Sequence, residues 1–201
     1  FLVNIERVQI SEKDLMVSIV FGLTGKNASG KGTVAKILKQ NEFAYHSLSD
    51  SLRDELNLLG KEETRENLIE IGNKLRKEGG PGVLADKLIS KLDAENNHIV
   101  DSIRNPFEVN SLKKKSLLRK FFLISVDADA KLRYDRLCSR GRIGDSNSWE
   151  KFLDQERQED TNDDPNKQQL SKTMGMADYS IDNSGTLDEL EAQVKKIISD
   201  L

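Results

Sequence analysis

Nine consecutive residues, Gly25-Lys26-Asn27-Ala28-Ser29-Gly30-Lys31-Gly32-Thr33, constrain this chain more than any others. An apolar run, Val17-Ser18-Ile19-Val20-Phe21, comes before them, and Val34, Ala35, Ile37 and Leu38 follow at helical spacing. A strand, a glycine-rich turn and a helix in that order make a cradle for phosphate. The turn aims backbone N–H groups inward, the helix N-terminus adds partial positive charge, and a lysine reaches the outer phosphates. The candidate binding residues are therefore Gly25, Asn27, Ala28, Ser29, Gly30, Lys31, Gly32 and Thr33. Spacing fits G-x-x-x-x-G-K, but Gly32 stands where Ser or Thr is usual, so the hydroxyl moves one residue on, to Thr33.

Composition bounds the rest. The 201 residues suit one domain. With 31 basic and 34 acidic residues the net charge is −3, so no global basic field recommends nucleic acid as a partner. The single cysteine, Cys138, excludes an intramolecular disulfide and a multi-cysteine metal site, and it fits a reducing, cytoplasmic setting. No apolar run is long enough to span a bilayer, so no membrane is expected. Residues 1–15 read as an N-terminal extension of open status ahead of Met16, and residues 16–201 read as one domain.

Strand-like runs alternate with longer amphipathic stretches, which predicts a three-layer α/β/α architecture on a parallel sheet of about five strands. Strands are expected near 17–23, 43–46, 98–101, 121–126 and 179–181. Helices are expected at about 30–40, from Ser49, from Thr64 to Gly79, through Leu84–Leu92, and at about 129–140, 148–160 and 166–176. A last helix opens on the capping box Thr186/Glu189. Residues 47–96 form a helical region suited to a second ligand, and Gly141–Ser148 reads as a mobile linker opening a lid over about 141–160.

Three further clusters carry chemistry. Asp101 ends a predicted strand, where parallel sheets hold their ligands, and its carboxylate suits Mg²⁺, with Thr33, chiefly through water. Asp50 and Arg53 after the second strand, and Arg104 after the third, lie on the rim of the phosphate loop, where arginine forks clamp phosphate. Arg133, Arg136 and Arg140 recur on one helix face, with Arg157 further on. Such a stripe either meets an anion or pairs with acids such as Asp129, Asp135, Glu156 or Glu159. His46, His98 and Trp149 read as packing residues, Cys138 as no nucleophile, and Lys113-Lys114-Lys115 as a solvated surface.

These residues resemble the P-loop small-molecule kinases, in particular the nucleoside monophosphate and dephospho-coenzyme A kinases. Gly-Lys-Gly-Thr ending at Thr33 is similar to the adenylate kinase loop. Ser49-Asp50-Ser51-Leu52-Arg53 resembles that group's acceptor segment, and Asp101-Ser102-Ile103-Arg104-Asn105-Pro106 its Asp-Gly-Phe-Pro-Arg segment with arginine and proline reordered. Asp135-Arg136-Leu137-Cys138-Ser139-Arg140 matches Asp-Arg-x-x-x-Arg ahead of a lid. The segment from Ala177 to Thr186, with Asn183 and Gly185, is similar to the terminal segment of the dephospho-coenzyme A kinases, near the adenine.

The resemblance implies ATP as donor, Mg²⁺, and a small phosphorylated acceptor. It implies catalytic roles for Lys31, Asp101, Arg140 and Arg157, with Arg136, Asn183 and Gly185 near the nucleotide and Asp50, Arg53 and Arg104 at the acceptor. The acceptor segments match neither group, so the acceptor stays open. The competing expectation is a nucleotide-binding switch module without an acceptor, and a weaker third is a nucleic-acid ATPase.

Overall fold

Every short apolar run rich in β-branched and aromatic residues becomes a strand of one sheet, and the amphipathic stretches between them cover its faces. The computed structural model describes residues 18–115, 119–141, 148–160 and 163–201. The element order is β1 (Ser18–Thr24), α1 (Lys31–Gln40), β2 (Phe43–Ser47), α2 (Leu48–Leu58), α3 (Arg65–Gly79), α4 (Val83–Ile89), β3 (Asn97–Asp101), α5 (Pro106–Lys115), β4 (Arg119–Asp127), α6 (Ala130–Arg140), α7 (Trp149–Asp160), α8 (Leu170–Met174), β5 (Tyr179–Asp182) and α9 (Leu187–Ser199). The expected extension at 1–15 and most of the Gly141–Ser148 linker lie outside the described residues.

The strands pair in the order β2-β3-β1-β4-β5, parallel throughout. The glycine-rich loop therefore leaves the carboxyl end of the central strand, flanked by the ends of β3 and β4. In such a sheet the chain's reversal of direction across the strand order opens a crevice at that rim. Successive residues of β1 serve opposite faces, as the pleat dictates. Val20 packs with Val100 and Leu123 under α2 to α5, through Leu48, Leu52, Leu56, Ile71, Leu84, Val109 and Leu112. Phe21 packs with Ile99 and Ile124 under α1 and α9, through Val34, Ile37, Leu38, Leu190, Val194 and Ile197. The result is the expected three-layer fold.

Two elements depart from the expected order. Helix α5 covers residues whose lysines read as plain surface. Asn105 Oδ1 accepts from Phe107 N–H, Pro106 opens the helix, and Glu108 reaches back to Asn105 N–H. That is an N-terminal capping arrangement legible in Asn-Pro-x-Glu. Helix α8 is shorter than the expected 166–176, and the stretch before it is held to the Arg104 loop by the Asn105 amide, which donates to the carbonyls of Pro165 and Lys167.

Candidate functional site

The loop between β1 and α1 is built for close approach of a ligand to backbone. Gly25 and Gly30 have φ of +140° and +101°, and Ala28 takes the left-handed region at +57°. A Cβ on Gly25 would meet Val126 O at 2.0 Å, and one on Gly30 would meet Asn183 Nδ2 at the same distance. The loop is thus wedged between β4 and the segment after β5. Asn183, buried, donates to Ser29 O at 2.8 Å. Asn183 therefore supports the loop from behind and does not line the cleft. Gly185 does not line the cleft either: a Cβ there would meet the Glu189 carboxylate of the α9 capping box.

Lys31 Nζ donates to Gly25 O at 2.7 Å and Lys26 O at 2.8 Å. The ammonium lies among protein atoms although the residue as a whole is half-buried. Burial first, then the field of Arg104, lowers its pKa from 10.5 to about 7, with Asp101 opposing. Phosphate oxygens are the natural replacement for those two carbonyls.

Across the cleft, Tyr45 O–H donates to Asp101 Oδ2 at 3.0 Å, and Ser102 N–H donates to Oδ1. Burial, reinforced by Asp101, raises the Tyr45 pKa, so the phenol stays a donor. Ser102 holds φ +67°, a strained value for a residue with a side chain. It turns the chain so that Ile103 N–H returns to Leu23 O. Arg104 follows, its loop clasped by Glu108 through the Arg104 and Asn105 N–H groups. Buried Arg76 holds that carboxylate from the other side at 2.8 Å.

One cleft of about 1000 Å³ joins these pieces. Asn27 to Thr33, Tyr45, Asp101, Arg104, Arg136 and Arg140 line it, together with Arg53, Glu63 and Arg65. Arg136 Nη2 donates to Asn183 O, and Arg140 Nη2 donates to Asn27 Oδ1 at 3.0 Å, which fastens α6 to the loop. Arg53 reaches the rim but is paired with Asp50 at 3.0 Å and Glu63 at 3.3 Å, while Asp50 itself does not line the cleft.

Arg157 does not join them: it is exposed and paired with Asp154 on its own helix. Arg133 is also removed from the stripe. It is buried, donates to Ala128 O, pairs with Glu156 and lies 5.5 Å from the Phe152 ring centroid, so it rivets α6 to α7. Sequence reasoning missed Arg65, Tyr45 and the use of Glu159. Arg65 carried one signal, a cation in the first turn of α3, where the helix dipole disfavours it.

Residues 22–162 match the family model of an AAA domain. The UPF0200 protein of Pyrococcus furiosus is 31% identical, over 88% of this chain and 94% of that protein. That of Hyperthermus butylicus is 32% identical, over 92% and 95%. The chain belongs to the UPF0200 family, with an AAA-type P-loop domain. Among solved structures, a Thermus thermophilus protein superposes with a TM-score of 0.58 at 22% identity, covering 92% of this chain and 99% of that one. Shikimate kinase from Aquifex aeolicus superposes at 0.52 with 15% identity, covering 90% and 95%. At such identities these likenesses establish the fold, so this UPF0200 member has the architecture of P-loop kinases. Among the described residues no helix is long and apolar enough to cross a membrane.

Proposed function

We propose that this chain transfers the terminal phosphoryl group of ATP to a small phosphorylated, nucleotide-like acceptor. The observation that carries the reading is a single cleft in which the Lys31 loop faces both Asp101 and arginines from four separate segments. Phosphoryl transfer demands little covalent chemistry from the protein and much charge neutralisation and positioning. The bond from the γ-phosphorus to its bridging oxygen breaks, a bond to an acceptor oxygen forms, and ADP leaves. An acceptor phosphate is already deprotonated and needs no general base. A hydroxyl acceptor would need one, and Asp101 and Glu63, the latter paired with Arg53, are the carboxylates that line the cleft among the described residues.

Lys31 and the loop N–H groups hold the β- and γ-phosphates, and Arg136 and Arg140 close over the nucleotide from α6. Mg²⁺ suits the donor set: Asp101 and Thr33 share the cleft, and among the described residues no cluster of three or more His, Cys, Asp or Glu could cage a metal. A magnesium ion held by one carboxylate, phosphate oxygens and water fits that composition, and it supplies charge neutralisation on the transferring group. The Gly32 position, with no atom within 4 Å of a Cβ, supplies no hydroxyl of its own.

The test is ADP release in a coupled assay with nucleoside monophosphates, deoxynucleotides and dephospho-coenzyme A as acceptors. Acceptor-dependent turnover above the water background is expected. Tight ATP binding without it would favour a switch module. Arg140→Ala should lower turnover at least tenfold with a smaller effect on ATP affinity, because its guanidinium serves the transferring charge more than the bound ground state. Unchanged turnover would remove Arg140 from the machinery.

A further inference from the structure

The sequence pairs Arg104 with Arg53 as the two halves of an acceptor clamp, and the structure offers Arg104 a different companion. Arg65, the first residue of α3, lies on the same wall of the cleft, and both arginines converge on one carboxylate. Glu159, near the end of α7, accepts from Arg104 Nη1 through Oε2 at 2.9 Å and pairs with Arg65 through Oε1. Its side chain is only 4% exposed, against 15% for Arg65 and 20% for Arg104. Arg65 Nε is buried without a hydrogen-bond partner among the described residues. Beside the pair lies a recess of about 60 Å³, apolar on the side of Leu48, Leu52, Leu68 and Leu84 and polar at Arg76, Glu159 and Gln168, sharing Arg65 and Arg104 with the main cleft.

We infer that Arg65 and Arg104 are the clamp for the acceptor's phosphate, and that Glu159 is an internal carboxylate which that phosphate displaces. This rests on the phosphoryl-transfer reading of the cleft. The clamp needs two forks on one point, and among the described residues Arg65 and Arg104 are the arginine pair that converges on a common oxyanion. Arg53 is neutralised at the rim by Asp50 and Glu63. Two desolvated guanidinium groups side by side repel each other, so a carboxylate between them keeps the site folded until an anion arrives. A phosphate dianion with three acceptor oxygens can outcompete a tethered monoanion, whereas a free monocarboxylate of equal charge cannot. The site therefore selects phosphate monoesters, with the recess taking the first apolar atoms beyond the ester. Because Glu159 belongs to α7, its release also removes the link from α7 to Arg65 of α3 and leaves Gln155 donating to Glu66 at 3.3 Å between the two helices.

The test is calorimetric titration of inorganic phosphate, and separately of acetate, into protein saturated with Mg²⁺ and a non-hydrolysable ATP analogue, so that the Lys31 loop is filled. Phosphate should bind and acetate at equal concentration should not. Arg65→Met should weaken phosphate at least tenfold and Arg53→Met less than threefold, while Glu159→Gln should strengthen it at least threefold. A merely structural Glu159 would leave phosphate affinity unchanged or lower it in the glutamine variant.

If Arg65→Met does not fold, Arg65→Lys keeps the charge, loses the fork, and should weaken phosphate at least threefold. Equal binding of acetate, equal losses in the Arg53 and Arg65 variants, or no gain in Glu159→Gln would overturn the inference. Affinity for the ATP analogue is measured first. Its absence would strike at the proposed function, and phosphate titrated alone would then still rank the variants. Its presence alongside an unaltered Arg65→Met would overturn this inference alone.

Discussion

Gly30→Ala tests whether the segment after β5 braces the phosphate loop. Gly30 lies at φ +101°, in the left-handed region, where adding a Cβ costs about 1–2 kcal/mol. The added carbon would meet Asn183 Nδ2 at 2.0 Å and Cγ at 3.2 Å, so the amide must withdraw. Withdrawal breaks its bond to Ser29 O, and both residues are buried. Buried polar groups left unpaired cost about 1–3 kcal/mol. Together the variant should lose about 2–5 kcal/mol, which for a chain of this size lowers Tm by about 4–20 °C, at roughly 2–4 °C per kcal/mol.

The assay is thermal unfolding of the single variants, a Gly32→Ala control and the double variant Gly30→Ala/Asn183→Ala. A Cβ on Gly32 meets nothing within 4 Å, so that control should gain about 0.5–1 kcal/mol. In the double variant the clash is absent, and its loss should be smaller than the sum of the singles by about 1–2 kcal/mol. Additive losses, or a Gly30→Ala melt within about 2 °C of the parent, would refute the bracing argument.

Glu108→Gln should cost about 3–5 kcal/mol in urea unfolding, because buried Arg76 loses its counter-charge and the Arg104 loop its anchor; a loss below about 1 kcal/mol would show that water replaces the pair. Lys31 has its pKa lowered to about 7 and a bound triphosphate favours its charged form, so ATP binding at pH 8.5 should take up a proton and at pH 6 should not. Calorimetry in buffers of different ionisation enthalpy reads this, and equal proton uptake at both pH values would contradict it. His46 lies 3.1 Å from His98, and burial, then His98, hold its pKa below the ordinary 6.5. As the pH falls through 6.5 the unfolded chain protonates first, so stability should drop between pH 7.5 and 5.5, and His46→Gln should flatten that slope.

The sequence alone determined the strands and the loop, because both are local. A strand, a glycine turn and a helix announce themselves within some twenty residues, and periodicity marks which faces are buried. The same holds for the caps at Thr64 and Thr186, and for Asp101 at its strand end. Helix α5 was legible too, in Asn105, Pro106 and Glu108, once a cap is sought where a surface was assumed.

Which charges meet was not legible, since pairing depends on elements far apart in the chain. Arg133, Arg136 and Arg140 share a helix face, yet the structure sends the first to Glu156 and the other two to the cleft. Arg157, expected at the site from the family resemblance, lies outside, while Arg65 and Glu159, 94 positions apart, form an ion pair beside the cleft. Helical period fixes the direction of a side chain from its own axis. Only the packing of α3, α6 and α7 around the rim of the sheet decides what stands opposite.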